Sequence, residues 1–264
     1  MAFSCKDPAV TYLNKFGYNV VKLPRAGIEP LLVLGRDKSL NPIGQLGTVW
    51  KAPTPPPTSG APKPAVNIEG QKSDKLDLSI GLKLLANALA AFGATTPSLD
   101  FAYKHARKVQ FTLTNVTSVS IDPFVIGEWL ASGDLNLHNP FVARYFDDDD
   151  STAYILTEVL KSDSVSITAT DSKDVGVTLD VPAISAAVGA NVKVSTGGES
   201  TGTLTYKGAE AVTFGFRAFE LVYANGSWSV QGVNASGDIP FVNKEDGDAK
   251  AIGAVFNPGG LIRL

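Results

Sequence analysis

The chain opens MAFSCKDPAVTYLNKFGYNVVKLPRAGIEPLLVLGRDKSLNPIGQLGTVWK (Met1–Lys51), and this stretch decides how the rest is read. Asp7-Pro8 is a helix start. Asp7 suits the N-cap and Pro8 the first helical position, where its missing N–H costs nothing. Ala9, Leu13 and Phe16 recur at helical spacing, and Gly17 is placed to end the helix in a left-handed conformation. Two short apolar runs follow, Tyr18–Leu23 and Pro30–Leu34, with Gly and Pro between them. They read as strands.

Downstream of Trp50, APTPPPTSGAPKPA carries six prolines between Pro53 and Pro64. This is an extended loop, not an element and not a domain boundary. Leu76–Leu85 fits two periods at once. As a helix, Leu78, Leu82, Leu85, Leu89 and Phe92 line one face and Gly93 closes it. As a strand, Leu76, Leu78, Ile80, Leu82 and Leu84 alternate with polar or small residues. The helix is the reading for the resting protein. Lys108–Asp122 alternates as a long strand, with Val109, Phe111, Leu113, Val119 and Ile121 on one face and Asn115 and Thr117 interrupting it. Asp122-Pro123 repeats the helix-start signal for a helix over Phe124–Ser132 that Gly133 ends. Asn139-Pro140 is a turn or another helix start. Asp147–Asp150 lacks the spacing of a calcium loop and reads as solvated surface.

Ala153–Ala169 and Val175–Val181 both alternate, joined by the polar turn Thr170–Asp174. They predict an amphipathic hairpin with Val165, Ile167, Val177 and Leu179 on its apolar face. Such a hairpin suits a soluble sheet with one wet face and equally a membrane barrel, whose strands need ~9–11 residues of this pattern. Gly197-Gly198 opens a loop. Gly202–Lys207 and Ala211–Tyr223 read as strands, with a bulge near Ala218 where the alternation slips. Asn225-Gly226 is a two-residue hairpin signal. Asn243–Lys250 is polar, charged and glycine-containing, a link of the kind that proteases cut. Beyond it, Ile252, Val255, Phe256, Leu261 and Ile262 make a short tail that is too apolar to hang in water and predicts docking on the body of the protein.

The 264 residues, 44% hydrophobic and 19% charged, are enough for one large domain or two small ones. A net charge of −3 gives no indication of nucleic-acid binding. Residues 1–51 nonetheless hold seven Lys/Arg against three Asp/Glu, and Lys104, His105, Arg107 and Lys108 form a second basic group. Both fit plain solvated surface or an anionic membrane. One cysteine excludes a disulfide framework and a multi-cysteine metal site. Met1–Cys5 has no apolar h-region, so no secretory or lipoprotein signal is expected. The longest near-apolar run, Leu84–Ala94, is far short of the ~20 residues that a spanning helix needs. A soluble, cytoplasmic resting protein follows as the expectation. No nucleophile elbow, P-loop, zinc motif or dinucleotide fingerprint stands in a supporting context, so neither an enzyme nor a bound metal or cofactor is expected.

YLNKFGYNVVKLPRAGIEPLLVLG followed, after a polar gap, by GQLGTVWK resembles the opening of a bacterial gasdermin. The spacing from Pro30–Gly35 to Trp50-Lys51 is similar to that of animal gasdermin pore-forming domains. Ala153–Ala169 and Phe214–Val230 carry a weaker likeness. The resemblance implies an α+β fold, a strongly twisted, mainly antiparallel sheet flanked by helices, with a short docked inhibitory tail. It divides the chain into a pore-forming domain (1–242), a protease-sensitive linker (243–250) and an autoinhibitory peptide (251–264). It implies cutting by a caspase-like or related protease, and Asp246 and Asp248 or Lys244 and Lys250 are the candidate cut residues. Ile252, Val255, Phe256, Leu261 and Ile262 would be the tail's contacts. The monomer would then become a homo-oligomeric pore in the bacterial inner membrane and kill the cell in antiphage defence. Segments around Leu78, Ile80, Leu82, Val109, Phe111, Leu113, Val165, Ile167, Val177 and Leu179 would insert among the lipids. Bacterial members carry a cysteine very near the N-terminus that is palmitoylated, and Cys5 occupies that place. Two readings of other classes stay open: a soluble β-rich binding domain with a docked tail, and a hydrolase using His105 or His138.

Overall fold

The helix signalled by Pro8 is present in the structure, a computed structural model that describes residues 8–36, 39–73, 75–94, 99–146, 152–197, 202–224, 227–232, 254, 256, 261–262 and 264. Helix α1 (Pro8–Lys15) buries Val10 and Leu13 and ends at Gly17, whose φ is 76°. Phe16, expected on the same buried face, is 44% exposed because the helix has already ended. Asp7 lies outside the described residues. Strands β1 (Asn19–Arg25) and β2 (Leu32–Arg36) follow the two apolar runs, and β3 (Leu40–Gln45) pairs antiparallel with β2. One helical turn, α2 (Leu46–Val49), leads to the short β4 (Trp50–Lys51). The proline-rich stretch stays extended until β5 (Lys63–Pro64).

The two periods of Leu76–Leu85 are both used. Strand β6 (Leu76–Asp77) takes two residues and helix α3 (Leu78–Ala91) takes the rest. Leu85, Leu89 and Phe92 are buried, with Leu78 and Leu82 packed beside them, and Gly93 has a φ of 87°. At Gly81 helix α3 lies against strand β7 (Lys108–Ser120): a Cβ there would run into Val109 Cγ2. The single apolar face expected of β7 is divided. Val109 and Phe111 pack under α3, Leu113 and Val116 near α1, and Val119 and Ile121 in two further clusters, with Asn115 at a φ of 50° between.

Helix α4 (Pro123–Leu130) starts as expected, with Asp122 Oδ1 accepting from the Phe124 N–H at 2.9 Å. It ends before Ser132. Gly133 is not its left-handed cap: a Cβ there would strike the Lys51 carbonyl where β4 pairs with β8 (Asp134–Leu135). Helix α5 (Pro140–Phe146) settles the choice left open at Asn139-Pro140. The chain then runs through β9 (Thr152–Thr170), α6 (Val181–Val188), β10 (Lys193–Thr196), β11 (Thr203–Ala224), β12 (Ser227–Gln231) and β13 (Leu261–Ile262).

Strand β9 is central. It pairs antiparallel with β11 along one edge and with β7 and β2 along the other. That is why Val175–Val181 does not form the expected hairpin strand: both edges of β9 are occupied. Instead Asp171 Oδ1 accepts from the Lys173 and Val175 N–H groups, Gly176 makes one bridge to Thr170, and Asp180 caps α6 through the Ala183 N–H. Val177 is buried and Leu179 partly so, in the cluster under α3. Gly202–Lys207 and Ala211–Tyr223 are one strand, kinked by a register shift between Lys207 and Val212; a further shift at Arg217/Ala218 is the expected bulge. Ala224 lies opposite Ser227, as the Asn225-Gly226 signal requires.

Among the described residues the main sheet has eleven strands in an open arrangement, antiparallel except where β13 runs parallel to β1. This is the α+β class expected. Replacing Gly81 with Leu should lower the stability of the fold by about 1–3 kcal/mol, since the added atoms have to displace Val109. The midpoint of urea unfolding measures it.

Candidate functional site

Three strands run in register for part of their length. On one face the rows are Val109–Ala169, Phe111–Ile167–Leu204 and Leu113–Val165–Tyr206. On the other they are Gln110–Thr168–Thr203, Thr112–Ser166–Thr205 and Thr114–Ser164–Lys207. Alternation along each strand thus gives one apolar face and one hydroxyl face. The hydroxyls bond across the strands, Ser166 to Thr205 at 2.6 Å, and Thr168 to Thr203 and Thr114 to Ser164 at 2.9 Å. The band from Lys108 to Thr114 spans seven residues. The three strands share five of these positions, Gln110 to Thr114 on β7, and the apolar–hydroxyl alternation over Lys108–Thr114 is two to four residues short of the ~9–11 that a membrane strand needs, although β7 and β9 stay paired in register as far as Ser120.

The apolar face is covered. Leu85 and Leu89 from α3, Phe92 just after it, and Ile184 and Val188 from α6 lie in its cluster. Of the residues singled out in the sequence, Leu78, Leu82, Val109, Phe111, Val165, Ile167, Val177 and Leu179 meet there. Leu113 belongs instead to the cluster around Leu13, and Ile80 is 48% exposed. Leu204 and Tyr206 were not singled out, though their alternation with Thr203 and Thr205 is visible in the sequence. The fully buried Tyr206 and Tyr103 place their hydroxyls 2.6 Å apart, one donating to the other, and this ties the 99–106 segment to β11.

The tail meets the other end of the sheet. Asn19, 1% exposed, donates from Nδ2 to the Ala254 carbonyl at 2.6 Å and accepts the Phe256 N–H on Oδ1 at 2.9 Å. The Ala254 N–H donates to the Ala218 carbonyl at 2.8 Å, beside the bulge. The Phe256 ring stands edge-on to Tyr154, centroids 4.7 Å apart, and tilts toward Phe216 at 6.2 Å. Arg36 Cζ lies 6.0 Å from its centroid. Val20 and Val21 pair with Leu261 and Ile262, and Ile262 is buried among Val21, Leu34 and Phe216. Ile252, Val255, Cys5, Lys244, Asp246, Asp248 and Lys250 lie outside the described residues.

Arg217 fixes α1 to the sheet beside this dock. Its Nε and Nη2 donate to the Phe16 carbonyl at 3.2 and 2.7 Å, at the end of α1 where a cation is favoured. Its Nη1 donates to Glu158 Oε2 at 3.0 Å, and its guanidinium lies over the Tyr18 ring, 4.4 Å from the centroid. Burial pushes the Tyr18 hydroxyl well above the ordinary tyrosine range. Arg217 opposes that shift, and Glu158 adds to it by charge and hydrogen bond.

His105 and His138 are both exposed. The concavity of about 560 Å³ lined by Trp50, Pro53, Thr54, Pro55 and Trp129 includes neither. No helix among the described residues is long and apolar enough to cross a membrane.

An open antiparallel sheet with one helix-covered apolar face defines a fold shared with solved proteins. A bacterial gasdermin from Bradyrhizobium tropiciagri superposes with a TM-score of 0.59 at 18% identity, over 85% of this chain and 90% of that one. The profile of the Bacterial Gasdermin Family matches residues 21–233. The chain is 35% identical over 264 residues to gasdermin bGSDM of Vitiosangium sp., covering 98% of each. It is 34% identical over 251 residues to that of Lysobacter enzymogenes, covering 93% of this chain and 92% of the other. The chain therefore belongs to the bacterial gasdermin family, whose members are pore-forming, oligomerising and non-enzymatic.

A tyrosine whose folded pKa is raised supports the fold fully below its unfolded value of 10.0 and loses that support as pH rises toward the folded value. Between about pH 8 and about pH 11, Tyr18→Phe should therefore lose about 1 kcal/mol less stability than the wild type. Urea midpoints at the two ends of that range test it.

Proposed function

We propose that this gasdermin is held inactive by its docked tail and released when a caspase-like or related protease cuts within 243–250. Asp246 and Asp248 offer sites for a protease that cuts after Asp, and Lys244 and Lys250 for one that cuts after a basic residue. The tail's docked apolar side chains, Phe256 and Ile262 among them, contribute ~1.5–3 kcal/mol each. While attached, the tail rebinds at high effective concentration; once cut, it can diffuse away. The cytoplasmic monomer then oligomerises into a barrel in the bacterial inner membrane and kills the cell in defence against phage. A closed barrel leaves no strand edge in lipid.

The observation that carries this reading is the in-register band with one apolar and one hydroxyl face. It is the pattern of a transmembrane β-sheet, stored under two helices. The band is too short as it stands. In the pore, the alternation of Leu76–Leu84 lengthens β7's side and that of Val175–Val181 lengthens β9. Leu78, Ile80, Leu82, Val177 and Leu179 join the lipid-facing surface, together with Leu204 and Tyr206. A palmitoyl chain on Cys5 adds ~0.8 kcal/mol per buried methylene, stabilising the resting fold or entering lipid with the pore.

Dye release from liposomes tests the reading, using full-length protein with a specific protease site placed between Asn243 and Lys250. Leakage should begin only after cutting. A cut product that stays folded and releases no dye would falsify it.

A further inference from the structure

Strand β1 begins at Asn19, opposite Phe216, so the ladder position opposite Ala218 is left without a β1 residue. Ala254 fills it, giving its N–H to the Ala218 carbonyl. Asn19 then holds the Ala254 carbonyl and the Phe256 N–H with its two amide atoms. Every polar contact in this set is to the tail's main chain, one from the Ala218 carbonyl and two from the Asn19 side chain. Two side chains select what is added. Ala254 is 3% exposed, in the cluster of Val21, Leu34, Tyr154 and Phe216, and a larger residue would have to displace those neighbours. Phe256 packs on Tyr154 and Phe216.

We propose that this dock, on the edge of β11 beyond the start of β1, is a peptide-binding site that captures a separate chain as well as the tethered one. Its ligand is a peptide with a small residue two places before an aromatic one. The buried amide of Asn19 is the group that recognises it. A released tail, or another peptide of that pattern, re-enters the dock in trans and opposes activation. The site itself stands on the contacts above; only its effect on leakage rests on the pore-forming reading.

The test uses full-length protein nicked at an engineered site between Asn243 and Lys250 in membrane-free buffer, with both pieces present. A fluorescein-labelled synthetic peptide of residues 251–264 is added, and capture is followed by anisotropy. The labelled peptide should exchange into the nicked protein. Unlabelled Phe256→Ala and Ala254→Leu peptides should compete about tenfold less well than the wild-type peptide. Asn19→Asp, whose carboxylate cannot donate to the Ala254 carbonyl, should weaken capture by a similar factor. The peptide variants leave the protein unaltered, so a folding defect in Asn19→Asp does not blunt the test. With liposomes present, excess wild-type peptide should slow dye release. No exchange, or equal competition by the altered peptides, overturns the proposal. Capture with no dye release from nicked wild type leaves the peptide site standing and removes the pore-forming reading.

Discussion

The face formed by Val109, Phe111, Ile167, Leu204 and Tyr206 has to be kept from water, and much of the molecule is arranged around that requirement. A sheet with one apolar face needs a second layer. Here the layer is α3 and α6, whose own apolar residues complete the cluster. Gly81 lets α3 settle directly onto β7, and Asp180 with Pro182 starts α6 where the chain has returned over the same face. Helix α3 follows directly on β6, which pairs with β7, and residues 171–180 separate β9 from α6.

The length of β9 and β11 explains why the buried residues fall into several clusters. At 19 and 22 residues, both strands far exceed the ordinary strand. One core cannot follow them from end to end. One end is covered by α3 and α6. The other is covered by Trp50, Ile126 and Trp129 on one face and by the tail's cluster on its own side. The register shift at Thr213/Gly215 falls among Val212, Phe214 and Phe216, which belong to three different clusters. The sheet is one hydrogen-bonded object with separately covered parts, so one cover can be removed while another stays.

Local signals were legible in the sequence. Pro8 and Pro123 start helices, Ala224 faces Ser227 across the Asn-Gly signal, and the slip near Ala218 is a bulge. Each depends on residues adjacent in the chain. Partner choice was not legible. Val175–Val181 alternates as a strand does, but whether it pairs depends on β7 and β11, which arrive from elsewhere and fill both edges of β9. Gly133 looked like a helix cap because it follows a helix, whereas its lack of a side chain serves the Lys51 carbonyl. Asn19 gave no signal at all. A polar residue opening a strand is unremarkable until the fold buries it beneath the other end of the chain.

The hydroxyl rows behind the apolar face have a property that charged rows would lack. A serine or threonine hydroxyl both donates and accepts, so Ser166 with Thr205 and Thr168 with Thr203 satisfy one another without a fixed direction or sign. Turned toward water, the same groups exchange one partner for another at little net change in free energy. For these two pairs no counter-ion has to be found or released. These pairs can thus pass between neighbouring strand and open solvent without becoming electrostatically committed to either.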